Sequence, residues 1–90
     1  MEKRIGSALI LVENKAEIEN LNKIISKHSS VILSRQGLPL KERQANLISL
    51  ILEGTTDEIG SLTGQIGRLN FIQIKSVLLK NQSSGENNEV

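Results

Sequence analysis

The sequence predicts an α+β sandwich in which two helices cover one face of a four-stranded antiparallel sheet. Four apolar, strand-like segments and two capped helical segments follow one another in the order strand, helix, strand, strand, helix, strand. The 90 residues include one phenylalanine and no tyrosine or tryptophan. The core must therefore be built from isoleucine, leucine and valine, which favours an aliphatic sheet with helices packed on it.

The first strand and first helix are predicted from an apolar run and a capping pattern. The strand is expected over Arg4–Glu13, where Ala8–Val12 has no polar alternation and indicates cover on both faces. Asn14, with Glu17 three residues later, has the pattern of a capping box. A helix is therefore expected over Lys15–Lys27.

The second and third strands are predicted on either side of a charged turn. The second is expected over Val31–Gln36 and is expected to end at Gly37, since Pro39 lacks the N–H that a central ladder position needs. The third is expected over Asn46–Glu53, again apolar on both sides.

The second helix carries three glycines on one flank. It begins with a second capping-box pattern, Thr55 followed by Glu58. Gly60, Gly64 and Gly67 each cost about 1 kcal/mol relative to alanine inside a helix. Close packing of a neighbouring backbone or of a ligand against this flank should offset that cost. Two interpretations remain open: packing against the other helix of the same domain, or a subunit contact or ligand surface.

The last strand completes a known supersecondary order. It is expected over Phe71–Lys80, which gives a ferredoxin-like βαββαβ sandwich over residues 1–80. The polar segment 81–90 is expected to be a disordered tail. Two helices cannot cover both faces of a sheet whose first and third strands are apolar on both sides, so we expect the open face to pack against another subunit.

The residues argue against several kinds of chemistry. His28 is the only histidine and there is no cysteine, so no metal site, cofactor or catalytic triad is expected, and His28 is expected to be structural. The central strands offer no aromatic side chain on which a base could stack, so no direct nucleic-acid readout is expected. No segment has the length and apolarity of a membrane span. The composition is compatible with a cytoplasmic protein.

Three segments carry a family resemblance. Ile32–Pro39, Asp57–Gly67 and Ile72–Ser76 resemble the small iron-only hydrogenase system regulator family, over roughly residues 3–80. The resemblance implies an ACT-like, ferredoxin-like fold, oligomerisation and a role in transcriptional regulation. The chain departs from the family in having Phe71 where glycine commonly precedes the last strand. It departs from amino-acid-binding ACT domains in lacking a glycine turn at Glu13–Ala16.

These observations predict a non-catalytic regulatory or sensing module that forms a homodimer or homotetramer and binds a small-molecule effector. The alternative is a ligand-free interaction or oligomerisation domain. The residues expected to bind a ligand or line an interface are the three glycines and a loop that shapes the same edge, namely Gly60, Gly64, Gly67, Arg35 and Gly37.

Overall fold

A computed structural model describes residues 2–80 of the chain. The elements follow the predicted order and are β1 (Arg4–Val12), α1 (Ile18–Lys27), β2 (Ile32–Leu40), β3 (Ala45–Gly54), α2 (Thr56–Gly67) and β4 (Ile72–Leu78). All neighbouring strands are antiparallel and the sheet order is β2-β3-β1-β4. The predicted ferredoxin-like α+β fold is confirmed. The division into a domain at 1–80 and a tail at 81–90 stays a prediction, because 81–90 lies outside the described residues.

The core lies between the two helices and one face of the sheet. Ile10, Leu50, Leu62 and Ile66 are each fully buried there, and the cluster contains only aliphatic side chains. The residues of β1 and β3 that face the helices alternate with residues on the opposite face, as the period of a strand requires. An aliphatic core therefore forms without any aromatic side chain, as the composition predicted.

The strand β2 is longer than the sequence indicated. It was expected to end at Gln36, but pairing with β3 continues through Gly37 and Pro39 to Leu40. The predicted break was wrong because β2 lies at the edge of the sheet, where proline is tolerated. A bulge between Ile32 and Ser34 shifts the register near the start of the strand.

The two predicted capping boxes differ in outcome. In α2 the box is complete: Glu58 N donates to Thr55 Oγ1 at 3.1 Å and Thr55 N donates to Glu58 Oε1 at 2.8 Å. The backbone N–H of Thr55 also holds the pKa of Glu58 below its usual value. In the first helical segment, Asn14 accepts from Ala16 N, but residues 15–17 form a 3-10 turn and the α-helix begins at Ile18.

Candidate functional site

The sheet face that points away from both helices carries a group of exposed apolar side chains. Six apolar side chains of this face are 39% to 62% exposed: Ile5, Leu9, Leu38, Ile51, Val77 and Leu79. We call it the open face. The prediction that the central strands are apolar on both sides is confirmed, because β1 and β3 place aliphatic side chains on the core face and on the open face alike.

The register arranges the open face into four rows that cross the strands. Side chains in one row lie directly opposite one another on neighbouring strands and point to the same side. Row 1 is Ile5, Glu53 and Leu79; row 2 is Ser7, Ser34, Ile51 and Val77; row 3 is Leu9, Gln36, Ser49 and Lys75; row 4 is Leu11, Leu38, Leu47 and Gln73. No row contains an aromatic side chain, so the face lacks the stacking platform of a typical RNA-binding sheet.

An open cleft lies at one end of the sheet, between the segment after β1 and the turn that joins β2 to β3. Its volume is about 550 Å³, and its walls include Pro39 and Leu40. Within residues 2–80 the ammonium groups of Lys15 and Lys41 make no ion pair, and the carboxamide of Asn46 makes no hydrogen bond. Glu13 also lines the cleft, so its two lysines leave a net positive charge of one. A net positive charge and a free amide beside apolar side chains suit a small anion that has an apolar part.

The three helix glycines do not pack against α1. A Cβ atom added at Gly60 or at Gly64 would meet no neighbouring atom within 4 Å, and one added at Gly67 would lie 3.7 Å from Ile74 of β4. The interpretation of the stripe as a helix–helix contact within the domain was therefore wrong. Of the three glycines only Gly67 lies beside β4, and the role of the stripe in binding a ligand or a subunit stays a prediction.

Arg35 and Gly37 lie in the edge strand β2 and not in a loop, so that part of the prediction was wrong. Arg35 Nη2 donates to Asn22 Oδ1 of α1 at 2.9 Å, which ties β2 to α1. A Cβ added at Gly37 would meet nothing within 4 Å. Because β2 and β4 lie at opposite edges of the sheet, the structure does not bring these two residues together with Gly67.

One polar contact between the helices was not apparent from the sequence. His28 Nδ1 lies 2.8 Å from the carbonyl oxygen of Ile24, and His28 Nε2 lies 3.1 Å from Ser61 Oγ. The carbonyl can only accept, so Nδ1 carries the proton and Nε2 accepts from the hydroxyl of Ser61. Gln65 Nε2 donates to the same hydroxyl at 3.1 Å. His28 thus links α1 to α2, in keeping with its predicted structural role.

Two further features of the described residues bear on function. No three His, Asp or Glu side chains between residues 2 and 80 come close enough together to hold a metal ion. No helix in this part of the chain is long and apolar enough to cross a membrane. Neither finding adds a candidate site to the open face and the cleft.

The comparisons with known proteins identify the family. The family model described as TM1266-like, iron-only hydrogenase system regulator, matches residues 4–76. The uncharacterized protein TM1266 from Thermotoga maritima is 32% identical, with a TM-score of 0.84 over 88% of this chain and 100% of that one. The chain belongs to the TM1266-like family. The description 'iron-only hydrogenase system regulator, putative' is that of the family as a whole.

A second solved structure shares only the fold with this TM1266-like chain. An unknown protein from Galdieria sulphuraria is 10% identical, with a TM-score of 0.61 over 91% of this chain and 48% of that one. No curated protein matches the sequence. The family assignment therefore depends on the family model and on the T. maritima structure.

Phe71 is a strained position in this member of the TM1266-like family. Its φ angle is 61° and its side chain is 61% exposed. Left-handed backbone of this kind favours glycine and costs other residues about 1 kcal/mol, which agrees with the glycine that the resemblance implies before β4. We expect Phe71→Gly to raise the free energy of unfolding by about 1 kcal/mol, measured by urea denaturation.

Phe71→Ala provides the matched control for that substitution. Alanine removes the exposed ring but retains the Cβ atom that makes the left-handed conformation unfavourable. We therefore expect Phe71→Ala to leave the free energy of unfolding no higher than that of the native protein. An equal gain in both variants would show that the exposed ring, and not the backbone angle, is the source of the instability.

Proposed function

We propose that this chain is a non-catalytic regulatory module that works as a homo-oligomer and responds to a small effector. We further propose that it acts in transcriptional regulation, which narrows the family's description as a regulator, and that it works in the cytoplasm. The observation that carries the proposal is the open face, where Ile5, Leu9, Ile51 and Val77 are all exposed. Exposed apolar surface of this extent is typical of an interaction site.

In this proposal, a second copy of the chain packs against the open face and covers it. Sheets that pack face to face bury alternate residues of each strand against one another at a separation of about 10 Å. The open face presents such an alternate set on every strand. Direct reading of nucleic acid by this module is not part of the proposal, so a regulator of transcription would need a separate DNA-binding element.

We expect the native protein to have a molar mass well above the 9.9 kDa of one chain at micromolar concentration. Light scattering coupled to size exclusion measures this directly. Leu9→Lys places a charge near the middle of the open face and should weaken association at least tenfold, since truncated or charged contacts at interface centres commonly cost about 2 kcal/mol or more. Its circular dichroism should stay native, because Leu9 is 51% exposed.

Phe71→Lys is the control for this experiment. It introduces the same charge at another exposed apolar side chain, in the turn before β4 and outside the four rows. Its mass should equal that of the native protein. A native protein that is monomeric at high micromolar concentration would contradict the proposal.

The effector is proposed to occupy the cleft at Lys15 and Lys41. A thermal-shift screen of small carboxylates, amino acids and nucleotides tests this, because a ligand at 100 times its dissociation constant adds about 2.7 kcal/mol to stability. The double variant Lys15→Ala with Lys41→Ala should lose the ligand-induced rise in melting temperature.

The second candidate function is a ligand-free oligomerisation domain, which the open shape of the cleft favours. It predicts that no compound raises the melting temperature.

A further inference from the structure

The open face has opposite charges at its two ends. Glu53 lies in row 1, whereas Lys75 lies in row 3. Arg43, from the turn before β3, lines the same pocket as Leu47 and Lys75. The row 4 end stays net positive, although Glu13 accepts from Gln73 Nε2 of row 4 at 3.4 Å. None of Glu53, Lys75 and Arg43 makes an ion pair within residues 2–80. The charges therefore remain available to an occupant of the face.

A second copy of this chain fits the face better than the segment that follows β4. Residues 81–90 contain one aliphatic side chain, Val90, so their sequence offers little apolar area to the exposed aliphatic side chains of the face. A second copy offers an equal apolar area and the complementary charge, provided that the two sheets meet with their ends reversed. The charges thus bear on the orientation of the two copies as well as on the identity of the occupant.

Two symmetric arrangements place one open face on another with the strands of the two copies aligned, as in aligned sheet packing. In the first, the two-fold axis runs along the strands, and each row meets the same row of the partner copy. In the second, the axis runs across the strands between rows 2 and 3, so that row 1 meets row 4 and row 2 meets row 3. Only the second arrangement brings the acidic end of one copy to the basic end of the other.

We infer that the open face pairs with that of a second copy about a two-fold axis that runs across the strands. Glu53 of one copy then lies beside Arg43 of the other, at both ends of the interface. The first arrangement would instead gather the two copies of Glu53 at one end and the two copies of Arg43 at the other. Like charges at a partly desolvated interface disfavour association.

Side-chain size agrees with this pairing along the central strands. Row 2 meeting row 3 sets Ser7 of β1 against Leu9 of the other copy, and Ile51 of β3 against Ser49. Large side chains then face small ones, which lets two apolar layers interdigitate. The first arrangement also pairs large with small at these positions, so charge, and not size, selects between the two.

Cysteine cross-linking tests the orientation, which depends on the proposed homo-oligomer. The native chain has no cysteine, so introduced thiols react alone. Ile5→Cys and Leu11→Cys mark the two ends of β1, and successive rows are about 7 Å apart, so rows 1 and 4 lie about 20 Å apart. A tagged Ile5→Cys protein and an untagged Leu11→Cys protein are mixed and allowed to exchange. They are then treated with a bismaleimide chosen to match the separation of about 10 Å between packed sheets.

The expected result is a cross-linked heterodimer at least fivefold more abundant than the cross-linked dimer of either variant alone. Efficient cross-linking of Ile5→Cys to itself would overturn the inferred axis while leaving the oligomer intact. An oligomer that forms no cross-link in any mixture would overturn the use of the open face. A monomeric native protein would instead remove the proposed function, so the two failures are distinguishable.

A charge reversal gives a second test that keeps the apolar rows unchanged. Glu53→Arg and Arg43→Glu should each weaken association about tenfold, since close interfacial charge pairs couple by more than 1 kcal/mol. Both substitutions in one chain should restore the dissociation constant to within about threefold of the native value. Additive weakening in the double variant would overturn the inference. Native circular dichroism of all three variants confirms that the fold is retained.

Discussion

Gly6→Ala is expected to lower the free energy of unfolding by about 2–3 kcal/mol, because the added methyl group overpacks a rigid site. Gly6 lies in β1, paired with Leu52 on one side and Leu78 on the other. A Cβ atom there would collide with the carbonyl oxygen of Val77 and would lie 2.6 Å from Leu78 Cδ2. The backbone of β4 would have to move away from β1, and the midpoint temperature should fall by about 10–20 °C.

Gly37→Ala is the matched control, since it makes the same substitution in another strand of the sheet. A Cβ atom at Gly37 would meet nothing within 4 Å. The control should be neutral or slightly stabilising, because alanine loses less conformational freedom on folding than glycine does. Equal destabilisation of both variants would show that the close approach of β4 to Gly6 is not the cause.

The double variant Gly60→Ala with Gly64→Ala is expected to raise the free energy of unfolding by about 2 kcal/mol. Each glycine costs a helix about 1 kcal/mol relative to alanine, and the space beside both positions is open. Urea denaturation should show the gain, with the midpoint temperature rising by about 8–16 °C. Gly54→Ala is the comparison, because a Cβ atom there would lie only 3.0 Å from Glu58 Oε1 and 3.2 Å from Val31 Cγ1.

The same double variant decides the role of the glycine stripe. Unchanged molar mass and unchanged ligand response, together with the gain in stability, would assign the flank of α2 to solvent. A loss of mass or of ligand response would assign Gly60 and Gly64 to an interface or a binding surface, as the sequence predicted. Gly60 and Gly64 each lower the stability of α2, and no contact within a single chain explains why glycine stands at these positions.

The order of elements was predictable because each strong local signal agreed with the fold. The apolar runs of β1 and β3 marked central strands, and the capping box at Thr55 marked the start of α2. The excess of apolar strand surface was predictable for the same reason, since two helices can cover only one face of a sheet. Local patterns of this kind need no knowledge of how the elements pack.

Features that depend on packing could not be read from the sequence. Pro39 was interpreted as a break, because only the sheet order shows that β2 is an edge strand. The direction of the glycine flank depends on where α1 docks on α2, and the link between His28 and Ser61 joins residues 33 positions apart. The cleft forms where the segment after β1 meets the β2–β3 turn, and no single stretch of sequence marks it.

The interrupted edge strand has a consequence for solubility. The bulge after Ile32 and the proline at position 39 deprive β2 of a regular row of free backbone donors. Regular edge strands pair readily with those of other copies, and a protein with an exposed apolar sheet face would then tend to polymerise by strand addition. The interrupted β2 leaves β4 as the regular edge of the sheet within residues 2–80, and a polymer built strand by strand would need two such edges.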